Sequence, residues 1–180
     1  MKRYQLKLVF RGVSPMIWRR LFIPEQTSLE VLHQAIQIMY HWDNDYLYQF
    51  HIYGQDYGRS HAGVAPLTST LRRILIDDFE FDIGDKFTYQ YNFFENHIID
   101  IRIENIEESE NTTVHCVKGN NMPLSKTYNE KSSIINLIKS VRHADKEELR
   151  QKVSHFLDDL HAVRFERDYI NNRFQTEIIA

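Results

Sequence analysis

The strongest constraint in this sequence is a series of short segments whose apolar residues recur at every second position and come in adjacent pairs. Tyr4, Leu6, Leu8 and Phe10 alternate with polar residues that include Gln5 and Lys7, the period of a strand with one buried face. After Pro15 the stretch from Met16 to Ile23 again favours extended structure, with Ile17, Leu21 and Ile23 on one side and Trp18, Arg20 and Phe22 on the other. A Gly-Val-Ser-Pro link beginning at Gly12 joins the two runs into a hairpin. Tyr48, Phe50 and Ile52 alternate in the same way. Phe87, Tyr89, Tyr91 and Phe93 form another such run, as do Ile99, Ile101 and Ile103, each with one wet face.

Only one helix interrupts these strands. Pro24 closes the second run, and Thr27 with Glu30 three residues later is a capping-box pattern. Leu32, Ala35, Ile36 and Met39 follow at helical spacing. Paired strands around one helix define an α+β fold rather than a doubly wound parallel sheet. The sheet is expected to have about five strands, antiparallel or mixed, packed by this one main N-terminal helix. No glycine-rich phosphate loop accompanies it.

Residues 54 to 70, rich in Gly, Ser, His and Thr, read as a long surface loop. The stretch after residue 106 loses its periodicity, with one short strand expected near Val114. Ser132 or Ser133 can cap a helix carrying Ile134, Leu137, Ile138 and Val141. Asp145 with Glu148 makes a second capping box before Leu149, Val153 and Phe156. The organisation that follows is an α+β core over 1–106, an irregular excursion over 107–131, and a helical part over 132–180 packed on the same core.

At 180 residues the chain is long enough to bury a cooperative core, and 42% hydrophobic residues supply it. A net charge of -3 removes the whole-molecule footprint of a strong nucleic-acid binder, so any such contact needs a local patch. The single cysteine, Cys116, excludes an internal disulfide and any zinc site built on two thiolates. The segment after Lys2 and Arg3 is broken by Gln5, Lys7 and Arg11 and lacks the apolar centre of a signal peptide. No apolar run approaches the length of about 20 residues that spans a bilayer. The expected location is the cytoplasm, with no membrane partner.

No catalytic constellation stands out. His155 and His161 lie about 240° apart around a helix and cannot share one ion. His33, His41, His51, His61 and His97 fall in or beside the predicted sheet and loop without metal-ligand spacing. Lys118 alone is a poor activator for Cys116. Asp77 and Asp78, and Glu107 and Glu108, are adjacent in sequence and point apart on a strand, unlike a working acid and base. No metal or cofactor is therefore expected. The basic and aromatic residues are more informative: Trp18, Arg19 and Arg20, with Tyr46, Tyr48, Tyr89 and Tyr91, are the residue types with which sheets bind single-stranded nucleic acid. His51 and His97 complete the candidate binding set. Trp18 itself is expected to be structural, filling the gap between the sheet and the helix face from Leu32 to Met39, while Arg20 sits on an exposed strand end.

The segment Pro15 to Pro24 with Trp18, Arg19 and Arg20, then Leu29, Leu32, His33, Ile36 and Gln37, then Trp42, Leu47, Phe50 and Gly54, resembles the Ri-plasmid ORF-three-like family. That family includes insertion-element passenger proteins of a TnpR-like kind. The resemblance resumes at Gly84, Phe87, Tyr89, Tyr91 and Phe93, then at Cys116, Gly119 and Pro123, and finally at Phe165, Ile170 and Asn171. Where the family reads Tyr-Asp-Phe-Gly-Asp, this chain has Tyr91, Asn92, Phe93, Phe94 and Glu95, then His97 and Ile99. Tyr46 replaces a family histidine, and an acidic loop of the family is reduced to Met122, Pro123, Leu124 and Ser125. The resemblance implies a mobile-element neighbourhood and an altered polar motif. The leading expectation is a non-enzymatic binding or accessory protein. The alternatives are a nucleic-acid-binding accessory protein using a local basic-aromatic patch, with self-association also open, and a histidine-based metal enzyme.

Overall fold

The alternating runs pair as their periodicity requires. In the computed structural model, which describes residues 1–13, 16–58, 71–120, 145–151 and 165–178, seven strands form one antiparallel sheet. They are β1 (Lys2–Phe10), β2 (Trp18–Pro24), β3 (Tyr48–Ile52), β4 (Gln55–Gly58), β5 (Lys86–Tyr91), β6 (His97–Glu108) and β7 (His115–Asn120). Their order across the sheet is β4-β3-β5-β6-β1-β2-β7. The expected number of about five is thus too low: β4 is too short and too polar to show alternation, and β7 is the short strand expected near Val114. β4 opens the segment read as a loop from residue 54. Tyr53 and Gly54 have φ of 48° and 79°, the left-handed pair of a tight hairpin turn. The rest of that loop and the helix beginning at Ser132 or Ser133 lie outside the described residues, as do Pro123 and the loop around it.

The main helix, α1 (Leu29–Tyr40), lies across one face of the sheet. Its N-cap is Ser28 rather than Thr27: the Ser28 hydroxyl accepts from the Val31 amide at 3.2 Å. Thr27 instead donates its own amide to Pro24 O in the preceding turn. Leu32, Ala35, Ile36 and Met39 belong to the same buried cluster as Leu6, Leu8, Leu21 and Ile101 from the strands. A second helix, α2 (Arg167–Glu177), adds Ile170 and Phe174 to the same buried cluster. Asp145 caps a helical stretch over 146–151, its carboxylate accepting from the Glu147 and Glu148 amides.

Two bulges set the register. On β6, Gln5 faces Asn105 while Leu6 faces Ile103, so Glu104 is the extra residue. On β7, Arg20 faces Lys118 while Leu21 faces Cys116, so Val117 is extra. Without that second bulge, strict alternation from Cys116 would turn Lys118 inward.

Candidate functional site

The face of the sheet away from α1 carries the polar half of each alternating run. Following the register, Lys86 of β5 lies opposite Arg102 of β6, Arg102 opposite Lys7 of β1, Lys7 opposite Arg20 of β2, and Arg20 opposite Lys118 of β7. Five cations therefore stand side by side on five consecutive strands. The next row toward one end of the strands reads His51, Thr88, Asp100, Val9 and Trp18. Part of this face is a shallow concavity of about 1030 Å³, lined by Lys7, Lys86, Arg102 and His51 among others, and by two acids, Asp100 and Glu104.

Both acids are already engaged. Arg11 binds Asp100 through two guanidinium nitrogens, and Arg20 binds Glu104 with Nη2 to Oε1 at 3.0 Å. Gln5 adds a bond to Glu104 at 2.9 Å. The Arg20 hydrogen bonds hold the Glu104 carboxyl below its ordinary range, against the opposing effect of burial. Among the described residues, Lys7, Lys86, Arg102 and Lys118 make no salt bridge. The Trp18 ring lies on this face, with the Arg20 guanidinium 5.3 Å and the Lys7 ammonium 5.6 Å from its centroid.

Trp18 was expected to plug the space between sheet and helix, and it does not. It is half-exposed on the opposite face, because the inward positions of β2 belong to Arg19, Leu21 and Ile23. Arg19 is the surprise of that row: it is 0% exposed. Its guanidinium donates to the carbonyls of Met39, Trp18 and Asn120 and sits between the rings of Tyr40 and Phe165, at 5.4 and 5.0 Å. A Cβ on Gly119 would come within 2.6 Å of the Phe165 ring and 2.9 Å of Arg19 Cδ, so this packing requires glycine there. Asn171 on α2 completes the corner, accepting from Cys116 N at 2.8 Å and donating to Cys116 O at 3.0 Å. Burial pushes the Cys116 thiol up to about 11.

The tyrosines lie under α1, not beside Trp18. Tyr89 is fully buried, and its hydroxyl accepts from Gln37 Nε2 at 2.8 Å. It also pairs with His33 Nδ1 at 2.8 Å. His33 Nε2 lies 2.8 Å from Asn44 Oδ1, an acceptor, which assigns the imidazole proton to Nε2 and makes Tyr89 the donor to Nδ1. Tyr48 stacks on His33 at 3.5 Å between centroids and donates to Glu30 at 2.8 Å. Tyr91 accepts from the Asp45 amide at 3.0 Å and stacks on Trp42 at 4.8 Å. His97 is buried between Phe10 and Trp42. Tyr46 is 52% exposed in the loop before β3, and His51 is exposed on the open face beside Asp56.

Of the sequence-predicted set, Trp18, Arg20 and His51 therefore share the open face. Arg19, Tyr48, Tyr89, Tyr91 and His97 face the helix side. The histidines are separated accordingly: among the described residues no three His, Cys, Asp or Glu side chains stand where they could hold a metal ion. Lys7, Lys86, Arg102 and Lys118 were missed. Each occupies an outward position of its strand, but only the inter-strand register shows that they form one row. The rewritten polar motif forms the β5–β6 hairpin, in which Asn92 and Asn96 take left-handed φ of 50° and 54° and Phe94 is 93% exposed.

Fold and site together define an α+β protein built on an antiparallel sheet, with α1 and α2 packed on one face and a basic concavity on the other among the described residues. The chain belongs to the plasmid pRiA4b ORF-3-like protein family, whose model matches residues 2–172. It is 30% identical over 103 residues to the uncharacterized protein y4hQ of Sinorhizobium fredii, a match that spans 56% of this chain and 52% of that protein. The fold is similar to the crystal structure of MM3350, a protein of unknown function from Methanosarcina mazei Go1. There the TM-score is 0.70 at 23% identity, covering 93% of this chain and 96% of the other. No helix among the described residues is long and apolar enough to cross a membrane.

Proposed function

We propose that this protein is a non-enzymatic binding or accessory domain whose working surface is the open face of the sheet. The observation that carries the reading is how the side chains are distributed between the two faces. Of the groups suited to chemistry, His33, Tyr89 and Cys116 are buried on the helix side and held by hydrogen bonds or apolar packing, and His51, paired with Asp56, stands on the open face. The exposed face instead presents a row of cations, and its acids are engaged, Asp100 and Glu104 by arginines and Asp56 by His51. Such a surface can hold a ligand, and no serine or cysteine stands among the described residues that line its concavity to act as a nucleophile with His51. The plasmid setting in the family's name supports an accessory role beside a mobile element, in a reducing cytoplasm where Cys116 stays a thiol. We read 1–106, 107–131 and 132–180 as parts of one unit, supported by Ile170 and Phe174 lying in the same buried cluster as Leu8.

A panel of hydrolase, nuclease and transferase assays on the purified chain tests this reading. Every assay is expected to stay at background. Turnover that a single point substitution abolishes would overturn it.

A further inference from the structure

Placing Lys86, Arg102, Lys7, Arg20 and Lys118 opposite one another is costly, because like charges directly across a strand pair repel. Two carboxylates lie beside the row, and both are engaged, Glu104 by Arg20 and Gln5 and Asp100 by Arg11. The chain as a whole carries a net charge of -3, so this face runs against the rest of the molecule. The row crosses four inter-strand steps of about 4.8 Å, roughly 19 Å in all. A straight row on a concave surface suits an extended polyanion better than a flat membrane. The aromatic rings beside it distinguish among polyanions. Trp18 is two residues from Arg20 on the same face of β2, and the exposed ring of Tyr53 lines the concavity near Lys86. An acidic peptide has no use for such rings, whereas unpaired bases stack on them while phosphates lie along the cations.

We infer that the open face binds single-stranded nucleic acid, with its phosphate backbone running across the strands along the cation row and a base resting against Trp18. This rests on the reading of that face as a binding surface. The residues differ from those that sequence alone pointed to: the tyrosines Tyr48, Tyr89 and Tyr91 are in the core and take no part.

The test is fluorescence anisotropy of the intact chain with an end-labelled oligothymidylate of roughly 12 nucleotides, within the usual site sizes. Lys7, Lys86, Arg102 and Lys118 supply four phosphate contacts, which at about 0.7 per contact gives a slope near -2.8 in log affinity against log salt. Affinity is then expected to drop about 50-fold between about 50 and about 200 mM salt. The double variant Lys7→Gln/Arg102→Gln should lower that slope by about 1.4, while Arg150→Gln, exposed on the 146–151 helix, leaves it unchanged. A melting curve of the double variant, taken beside that of the parent, separates a loss of binding from unfolding, since Lys7 also lies over the Trp18 ring. Tryptophan emission should be quenched by the oligonucleotide in the parent chain and not in Trp18→Phe.

Absence of binding at low salt with the oligonucleotide recovered intact overturns this inference and leaves the non-enzymatic reading standing. Equal binding of polyglutamate, or of vesicles rich in anionic lipid, with the same sensitivity to the double variant also overturns it. An oligonucleotide recovered shortened, with the cleavage abolished by one substitution, overturns the non-enzymatic reading instead.

Discussion

Removing a single oxygen from Tyr89 tests the physics of the buried network beneath α1. The Tyr89 hydroxyl, at 0% exposure, joins Gln37 Nε2 and His33 Nδ1, each at 2.8 Å. In Tyr89→Phe the ring and its packing remain, but one buried donor and one buried acceptor lose their partner together. Each orphaned group costs about 1–3 kcal/mol, and a water entering the small space left by the oxygen recovers part of that, so the expected loss is about 2–4 kcal/mol. For a chain of this size that corresponds to a fall in melting temperature of roughly 4–16 °C. Tyr4→Phe is the internal comparison. Its hydroxyl donates to Asp77 at 2.6 Å, and that carboxylate is exposed enough for water to replace the bond, so the cost should be about 1 kcal/mol or less. Urea melts of both variants at neutral pH give the two values. A loss below about 0.5 kcal/mol for Tyr89→Phe, or one no larger than that of Tyr4→Phe, would refute the hydrogen-bond assignment around His33.

Three further outcomes follow from the same geometry. Trp18→Ala should cost only about 1–2 kcal/mol by chemical denaturation, because the indole is half-exposed on the open face; a loss above about 3 kcal/mol would mean that it is packed like a core residue. Glu104 is held below its ordinary value near 4.5, first by the Arg20 hydrogen bond. The folded state thus favours the ionised form, and that stabilisation is present in full above the unfolded value and lost as pH falls through the lower folded one. Glu104→Gln should flatten the acid limb of a stability profile while leaving its slope between about pH 7 and 9 unchanged, and an unaltered acid limb would contradict the pairing. Cys116, with its thiol raised to about 11 and buried, should resist iodoacetamide at about pH 8 until the chain is unfolded, as mass spectrometry can follow. Rapid native alkylation would show that the corner under α2 opens.

Much of the fold is legible in the sequence because burial imposes a period. Tyr4, Leu6, Leu8 and Phe10 must share a face whatever they pair with, and the stripe of Leu32, Ala35, Ile36 and Met39 must meet an apolar surface. The α+β class follows from those two periods. The edge strand β4 escapes such reasoning, because Gln55–Gly58 has few apolar positions to alternate, and of β7 only a short strand near Val114 is legible, not its bounds or its place at the edge. The helix cap was misplaced by one residue because Thr27 and Ser28 are both competent caps, and only the turn geometry chose Ser28.

The sequence by itself also determined which side chains of each strand point away from the core: Lys7, Arg20, Lys86 and Arg102 all occupy outward positions within their own runs. What it left open is which of them would meet. Cross-strand neighbours depend on register, and register here depends on two extra residues, Glu104 in β6 and Val117 in β7, whose insertion shows only in the paired backbones. The first bulge sets Glu104 within reach of Arg20 two strands away. The second turns Lys118 outward and brings Gly119 against Arg19 and Phe165. The same logic misled the reading of Trp18 and the tyrosines. Aromatic rings close in composition were assigned to one patch, but parity along β2 sends Trp18 outward, and parity along β3 and β5 sends Tyr48, Tyr89 and Tyr91 under the helix. Periodicity is a local property, fixed by the pleat of one strand, whereas a row of charges belongs to five strands at once and exists only after the chain has chosen its register.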